Sequence, residues 1–485
     1  MKHLSAYLLC IAFTGVILFN SSFSFSQSFT CNYGGPGFSE GHDLAQCPDG
    51  GFIITGLTKC FGNDSGNIYL IKTDMNGVMQ WQQIHGCDSL DGGNSVVTCP
   101  DGGYFIAGHT ECWGAGDCDG FAMKTDSRGD SVWMNTYGNI YDDVAYDGIL
   151  SNDGGYVMTG LTIGFGFGEA DVYLCKFDEN GKRIWVQRYG GPREDIGWSV
   201  RQTPDNGYII AGYTTSFTKD STCQIYLIKT DQDGNLQWQK TYGDSDSTDY
   251  RGYRVRLTPD GGYAVVGYYG NFNTNANSLL LKTDANGNMQ WMKQYNSTEP
   301  YFLAVGLATT TDSGFVLTGE TLGPGDSSSN ALLLKVDKEG NTQWMRKIGK
   351  PGFDYYANNV IQLANGNYAF IGTEQTDLSG EYDFLLMVFN STGQTASISL
   401  APLNLVNVTA YPDPATDRVT FQLQYYNGTY SVLLYNMMGQ LVRRAPNLVI
   451  NTFNMDRENL PSGLYYYEIE NNTAQVINKG KIVLQ

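Results

Sequence analysis

Short apolar runs separated by Gly, Asp and Asn make up most of the chain. A representative stretch contains residues 198–202, 208–213, 225–229 and 236–242, each rich in β-branched and aromatic side chains. Runs of this composition, bounded by turn-forming residues, predict β-strands. Several runs are apolar at every position rather than at alternate ones, which indicates strands covered on both faces. The pattern predicts an all-β fold whose sheets pack against one another.

The same pattern recurs seven times along the chain. A turn of the type Asp-Gly-Gly, or a close variant, followed by Phe or Tyr returns after 52, 52, 52, 55, 52 and 53 residues. The turns begin at Asp49, Asp101, Asp153, Asp205, Asp260, Asp312 and Asn365. A Trp follows each of the first six turns, at Trp81, Trp133, Trp185, Trp238, Trp291 and Trp344. A repeat of this length predicts one supersecondary unit per repeat.

Four strand-like runs per repeat predict a four-stranded sheet, and radial packing covers both faces of each sheet. We therefore expect a seven-bladed β-propeller over residues 27–398, with a linear β-solenoid as the alternative. The seventh repeat lacks its Trp strand, whereas residues 28–35 align with 184–191 and place Phe29 at the Trp position. The N-terminal strand is expected to complete the last blade beside residues 384–389, which removes an exposed sheet edge.

The period and the Gly and aromatic pattern of residues 28–398 resemble those of kelch-type and other secreted bacterial propellers. The resemblance concerns architecture, because the Gly pair and the Trp offsets depart from the kelch signature. It therefore implies no kelch partner.

One face of the predicted propeller carries irregular loops, and functional residues concentrate on such loops. These loops follow the second and fourth strands of each repeat, whereas uniform Gly-containing hairpin turns occupy the other face. Aromatic rings beside Asp and Asn would suit a glycan or peptide ligand, although the same rings could instead pack loop against loop. The candidate ligand-binding residues are Phe61, Trp113, Phe165, Phe167, Phe272 and Tyr355.

A second set of candidates lies on the innermost strand. The position eight residues before the last residue of each turn is small or polar in most repeats, which predicts side chains that line a solvated channel. The predicted channel-lining residues are Asp43, Ser95, Asp147, Ser199, Arg254 and Asn359, with Gly306 at the remaining position.

Nine cysteines follow residue 26. In an exported chain they favour disulfides over zinc ligation, and the odd number leaves a spare thiol, for which Cys175 and Cys223 are candidates. The disulfide candidates are Cys60, Cys87, Cys112 and Cys118. Spacing leaves their connectivity open, with Cys112 to Cys118 and Cys60 to Cys87 among the possible pairings. We assign no metal or cofactor, although residues 231–235 resemble the start of a calcium loop.

The two ends of the chain predict export. Residues 1–26 combine a basic start, an apolar run and small polar residues before Gln27, as in a secretory signal peptide. No later apolar stretch has the length of about 20 residues that spans a bilayer. Residues 399–407 are expected to form a linker, after which the repeat pattern stops.

Residues 408–485 contain six or seven short strand-like runs, which predict a small β-sandwich. The opening Tyr411-Pro412-Asp413-Pro414, the segment 435–442, Leu460-Pro461-Ser462-Gly463 and the Lys-rich apolar end are similar to the C-terminal sorting domain of type IX secretion cargo in Bacteroidota. Asp413 stands where that family usually has Asn. The resemblance implies recognition by the type IX machinery and passage through the periplasm to the cell surface or the medium. The alternative is a carbohydrate-binding or fibronectin-like sandwich.

Charge and motifs narrow the possible functions. The net charge of −19 argues against nucleic acid or an anionic membrane as partner, since both need clustered basic residues. No Gly-x-Ser-x-Gly nucleophile elbow is present, and no catalytic residue is assigned. The sequence favours a ligand-binding propeller for glycan or protein without a catalytic role. The alternative is an extracellular polysaccharide hydrolase or lyase that uses the irregular face.

Overall fold

A computed structural model describes residues 28–62, 64–218, 222–244, 248–270, 276–295, 301–322, 328–377, 380–394, 408–412, 414–423, 429–436, 441–449, 452–471 and 476–485. Every named element in these ranges is a β-strand, and no helix there is long and apolar enough to cross a membrane. The predicted signal peptide, the predicted linker and Phe272 lie outside the described residues. The chain divides into two compact units, Met1–Ala396 and Ser397–Gln485.

The first unit is built from four-stranded antiparallel sheets, an arrangement typical of a propeller. Its strands begin with β1 (Phe29–Tyr33), β2 (Ser39–Gln46), β3 (Phe52–Thr58), β4 (Asn67–Thr73), β5 (Met79–His85), β6 (Asp91–Thr98), β7 (Tyr104–Thr110), β8 (Asp119–Thr125), β9 (Ser131–Tyr137), β10 (Asp143–Leu150), β11 (Tyr156–Thr162), β12 (Asp171–Phe177), β13 (Arg183–Tyr189) and β14 (Asp195–Gln202). They continue with β15 (Tyr208–Thr214), β16 (Gln224–Thr230), β17 (Leu236–Tyr242), β18 (Tyr250–Leu257), β19 (Tyr263–Tyr269), β20 (Asn277–Thr283), β21 (Met289–Tyr295), β22 (Tyr301–Thr309), β23 (Phe315–Leu322), β24 (Ser329–Val336), β25 (Thr342–Ile348), β26 (Tyr355–Gln362), β27 (Tyr368–Gln375) and β28 (Tyr382–Phe389).

Strands β2 to β25 pair with their chain neighbours in successive groups of four, and one parallel bridge from Asn277 to Phe302 links two of these groups. The second and third strands of each group are almost wholly buried. Shared apolar clusters join successive groups, so each sheet covers its neighbour. This explains the runs that are apolar at every position.

The N-terminal strand closes the last sheet, as predicted. Strand β1 pairs antiparallel with β28, with Phe29 opposite Val388 and Tyr33 opposite Phe384. The Tyr33 hydroxyl donates to the Gly77 carbonyl oxygen at 2.5 Å. Tyr189 makes the same hydrogen bond to Gly234 in a complete repeat. Strand β1 therefore takes the place of the missing Trp strand.

Each Asp-Gly-Gly turn, or its variant, in the first six repeats is tied to a buried lysine on the third strand of its own sheet. Lys229 Nζ lies 2.8 Å from Asp205 Oδ2 and donates to the Thr230 carbonyl oxygen at 2.7 Å. The matching pairs, at 2.7–2.9 Å, are Lys72 with Asp49, Lys124 with Asp101, Lys176 with Asp153, Lys282 with Asp260 and Lys335 with Asp312. A Cβ on Gly207 would lie 2.1 Å from the Thr230 carbonyl oxygen, so only glycine fits there. The repeated turn is a structural device.

Two repeats carry a strained residue where the others have the first glycine of the turn. Ser313 has a φ of 64° and Asn206 one of 63°, whereas Gly154 at the equivalent position has 87°. A residue with a side chain pays roughly 1–2 kcal/mol of strain to adopt this left-handed backbone conformation, and glycine does not. Ser313→Gly should therefore raise the free energy of unfolding by about 0.5–1 kcal/mol. Chemical denaturation measures the change. Gly154→Ser is the matched reverse variant, since a Cβ there meets nothing within 4 Å, and it should destabilise by a similar amount.

The second unit contains two sheets around one core. Its strands are β29 (Val408–Tyr411), β30 (Arg418–Leu423), β31 (Tyr430–Tyr435), β32 (Leu441–Leu448), β33 (Thr452–Asp456), β34 (Gly463–Asn471) and β35 (Val476–Leu484). One sheet has the order β29-β30-β33 and the other β32-β31-β34-β35. Phe421, Val432 and Ile469 belong to the shared apolar cluster, which shows the two sheets packed face to face.

Candidate functional site

The first strand of every four-stranded sheet in the first unit contains a β-bulge at the same position. In β14 the pairing with β15 runs from Gly197 opposite Gly212 directly to Ser199 opposite Ala211, which leaves Trp198 unpaired. A bulge re-aims a side chain and is common beside functional sites. The bulged residues are His42, Asn94, Tyr146, Trp198, Tyr253, Val305 and Asn358.

All of these bulged residues line one cavity of about 280 Å³, together with Glu40 and Arg254. We call it the central cavity, because the first strand of each sheet contributes to its wall. Glu40 pairs with Leu57, one residue before the end of β3, where the loop containing Phe61 begins. The part of the central cavity lined by Glu40 therefore lies at the end of the strands that carries the irregular loops.

Polar side chains form one side of the central cavity and also bind neighbouring sheets together. The Asn358 amide donates to the Gly41 carbonyl oxygen at 2.8 Å, His42 Nδ1 donates to that of Gly93 at 2.9 Å, and the Asn94 amide donates to that of Ala145 at 2.8 Å. His42 Nε2 lies 3.7 Å from Glu40. Burial opposes both charges, but this pairing raises the pKa of His42 and lowers that of Glu40. Each of these two groups therefore favours the charged form of the other.

Aromatic rings form the opposite side. Tyr146 and Trp198 stack with their ring centroids 3.9 Å apart and an interplanar angle of 25°. The Tyr253 ring stands edge-on to Trp198 at 5.3 Å. Flat rings of this kind offer large apolar contact area, and the tyrosine hydroxyl adds a polar end. The cavity thus combines an aromatic surface with amide, imidazole and carboxylate groups.

A cluster of arginines lies along the inner strands beside the aromatic side. Arg254 lines the central cavity, and Arg201 lies 2.7 Å from Asp147 Oδ2. Burial lowers the pKa of Arg256 well below its usual range, and the nearby charges of Arg201 and Arg254 lower it further. Asp147 and Asp43 oppose that effect only in part. The guanidinium groups of Arg201, Arg254 and Arg256 therefore lie close enough to influence one another.

Most of the predicted channel-lining residues do not face the cavity. Of the six, only Arg254 lines it, while Asp43, Ser95, Asp147, Ser199 and Asn359 are buried. They bond across neighbouring sheets: Ser95 and Ser199 donate to Asp147 at 3.1 and 2.9 Å, and Asn359 donates to Asp43. The prediction assumed a regular strand, and the bulge turns the preceding residue into the cavity instead. The residue one position earlier on the same strand varies strongly among otherwise similar repeats. This variation was the sequence signal that could have located the cavity wall.

None of the predicted aromatic residues within the described part of the chain lines the central cavity. Tyr355 is only 3% exposed and belongs to the apolar core, so it cannot contact a ligand there. Phe61 packs against Tyr69 with ring centroids 5.6 Å apart, and Phe165 lies under the Arg188 guanidinium. Trp113 and Phe167 are exposed, at 38% and 69%. These loop aromatics are therefore not part of the cavity wall.

The disulfide joins Cys87 to Cys112, with the Cα atoms 6.1 Å apart. The possible pairings of Cys112 with Cys118 and of Cys60 with Cys87 are therefore not formed. Asp91 pairs with Thr110, so the segments just before β6 and just after β7 lie side by side and bring Cys87 to Cys112. Cys60 faces the equivalent segment of its own sheet, with Sγ 3.2 Å from the Gly35 carbonyl oxygen. Cys60 and Cys118 are free, as are the buried Cys175 and Cys223.

The C-terminal unit identifies the class of the protein as secretion cargo. Residues 409–485 match the secretion system C-terminal sorting domain, Por_Secre_tail. The chain therefore carries a type IX sorting domain and is exported by that system to the cell surface or the medium, as the sequence predicted.

Searches with the whole chain give remote similarities. No curated protein matches it. Among solved structures, the extracellular domain of a hybrid two component system from B. thetaiotaomicron is 12% identical, with 92% of this chain and 67% of that chain covered and a TM-score of 0.28. The WD40 domain of Pan2 from Neurospora crassa is 12% identical, with 62% and 90% covered and a TM-score of 0.38. Similarity at this level says nothing about a site.

Proposed function

We propose that the protein is a type IX cargo whose first unit is a closed seven-bladed propeller that binds a glycan in its central cavity. The observation that carries the proposal is the bulged position itself. Every sheet directs one side chain into the same cavity, and these side chains differ from sheet to sheet while the surrounding repeat stays constant. A position that varies inside a uniform framework suits ligand recognition. Signal peptide removal after residue 26 and a linker at 399–407 complete the proposed domain organisation.

The lining favours a glycan in particular. A sugar ring presents an apolar face and a rim of hydroxyl groups, and the central cavity has Tyr146 and Trp198 on one side and Asn94 and Asn358 on the other. The volume of about 280 Å³ is close to the lower end of small-molecule sites. It therefore suits one or two sugar units better than a folded protein surface.

The lining supports binding over hydrolysis. Glycosidases generally place two carboxyl groups on either side of the bond they cleave. Of the residues that line the central cavity, only Glu40 is a carboxylic acid, and it is paired with His42. Asp43 and Asp147 are held in hydrogen bonds between sheets. We therefore propose a binding module without a catalytic role.

Trp198→Ala tests the proposed site. Removing the stacking surface should weaken binding of any glycan retained on an array by tenfold or more, since buried Trp contacts at binding sites often exceed 2 kcal/mol. Trp113→Ala is the matched control, because Trp113 is exposed on a loop outside the cavity wall. Unchanged binding by Trp198→Ala together with lost binding by Trp113→Ala would show that the ligand binds at the loops and not in the central cavity. Release of reducing sugar from a bound glycan would instead favour the hydrolase alternative.

A further inference from the structure

We propose that the central cavity selects saccharides carrying an anionic group, a carboxylate or a sulfate, which Arg254 binds. This inference rests on the proposed glycan-binding function and specifies the class of glycan. It starts from the one guanidinium among the residues that line the cavity. Arginine presents a planar fork of donors that matches a carboxylate or sulfate with two hydrogen bonds.

The position of Arg254 sets it apart from its counterparts in the other sheets. At the equivalent position, Asp43, Ser95, Asp147, Ser199 and Asn359 are buried and bonded across sheets. Arg254 is half-buried, lines the cavity and has no carboxylate paired directly with it among the described residues. A partly desolvated guanidinium without a carboxylate in direct contact is a ready anion site.

The charges around Arg254 point the same way. Arg201, Arg254 and Arg256 form the inner cationic cluster, and the carboxylates of Asp147 and Asp43 lie near enough to offset it in part. Glu40, the remaining acid among the residues that line the cavity, lies 3.7 Å from His42. A ligand bearing a negative charge would add to this partial compensation. The chain as a whole carries −19, so this cluster of arginines is opposite in sign to the rest of the molecule.

The neighbouring ring makes a saccharide the fitting carrier of that charge. Tyr253 precedes Arg254 on β18 and lies edge-on to Trp198 at 5.3 Å. A sugar stacked on the aromatic side would hold a ring carboxylate or a sulfate ester within reach of the guanidinium. The hydroxyl rim would then face Asn94 and Asn358 across the cavity.

The test uses the purified full chain on an array of matched saccharides. Hexuronate oligosaccharides are compared with their neutral methyl esters, and sulfated oligosaccharides with their desulfated forms. The anionic members should bind at least tenfold more tightly than their neutral partners, because hydrogen bonds to a charged group are roughly twice as strong as those between neutral groups. Arg254→Gln should abolish that preference. Arg128→Gln, which removes an exposed guanidinium outside the cavity, should retain it.

The outcomes separate the two proposals. Preference for the uronates or for the sulfated members identifies which anion binds, and either supports the inference if Arg254→Gln removes it. Equal binding of charged and neutral partners that Trp198→Ala still weakens would overturn the anion inference and leave the glycan-binding function standing. Absence of binding to every member would overturn both. Thermal unfolding of each variant confirms that a loss of binding is not a loss of fold.

Discussion

Removal of residues 408–485 should abolish appearance of the protein outside the cell and leave it in the periplasm. The sorting domain spans the match at 409–485 and forms its own compact unit with its own apolar core. Because every described residue of that core lies in the second unit, the truncated chain should still fold. Fractionation followed by immunoblotting measures the distribution between periplasm, cell surface and medium.

A fusion protein tests whether the sorting domain is sufficient for secretion. Residues 408–485 attached to an exported reporter should carry it across the outer membrane, whereas the reporter alone should remain in the periplasm. Unchanged secretion of the truncated chain would show that the export signal lies elsewhere. A protein that is degraded in the periplasm would be distinguished by its absence from every fraction.

The largest effect on stability is expected at Asp147, at the junction of three sheets. Its carboxylate accepts hydrogen bonds from Ser95, Ser199 and the Val200 amide and pairs with Arg201 at 2.7 Å. Asp147→Ala should lower the free energy of unfolding by about 3–5 kcal/mol, because it leaves Arg201 without its counter-ion. Chemical denaturation measures the loss. Asp142→Ala, an exposed acid in the loop before β10, should change it by less than about 0.5 kcal/mol.

The contribution of Asp147 should also depend on pH. Burial would raise its pKa, but Arg201, Arg254 and Arg256 lower it below the ordinary value. A group with a lowered folded-state pKa stabilises the fold above its unfolded pKa of about 3.9, and that stability is lost as pH falls through the folded value. The difference in unfolding free energy between the wild type and Asp147→Asn should therefore be constant from neutral pH to about 5 and shrink below about 4. A difference that grows on acidification would contradict this assignment.

The repeated part of the fold was accessible from sequence because its causes are local. Asp-Gly-Gly turns and Trp strands each mark a fixed place in a sheet, and pairs such as Lys229 with Asp205 tie each turn to the third strand of its sheet. The pairing of β1 with β28 was predictable because the seventh repeat lacks its Trp strand and the N-terminal residues supply a strand that belongs to no other repeat. The sorting domain followed from a few spaced motifs.

The site was less accessible because it depends on a break in strand regularity. Alternation along β14 predicts that Ser199 faces the axis, but the bulge leaves Trp198 unpaired and directs it there instead. The aromatics that stood out in the loops, such as Phe61, are partly used in packing. The sequence did not reveal the disulfide pairing for a similar reason. Cys87 and Cys112 meet through strand pairing rather than through closeness in sequence.

The bulges also keep most of the cavity wall apart from the turns and the lysine pairs that hold each sheet. Each first strand contributes one bulged residue to the wall, and three of these, His42, Asn94 and Asn358, also hydrogen-bond to the neighbouring sheet. Combined substitutions at the other four bulged positions should therefore change the cavity lining and leave these bonds between sheets in place. The architecture therefore lends itself to diversification by point substitution, with no need to rebuild a loop.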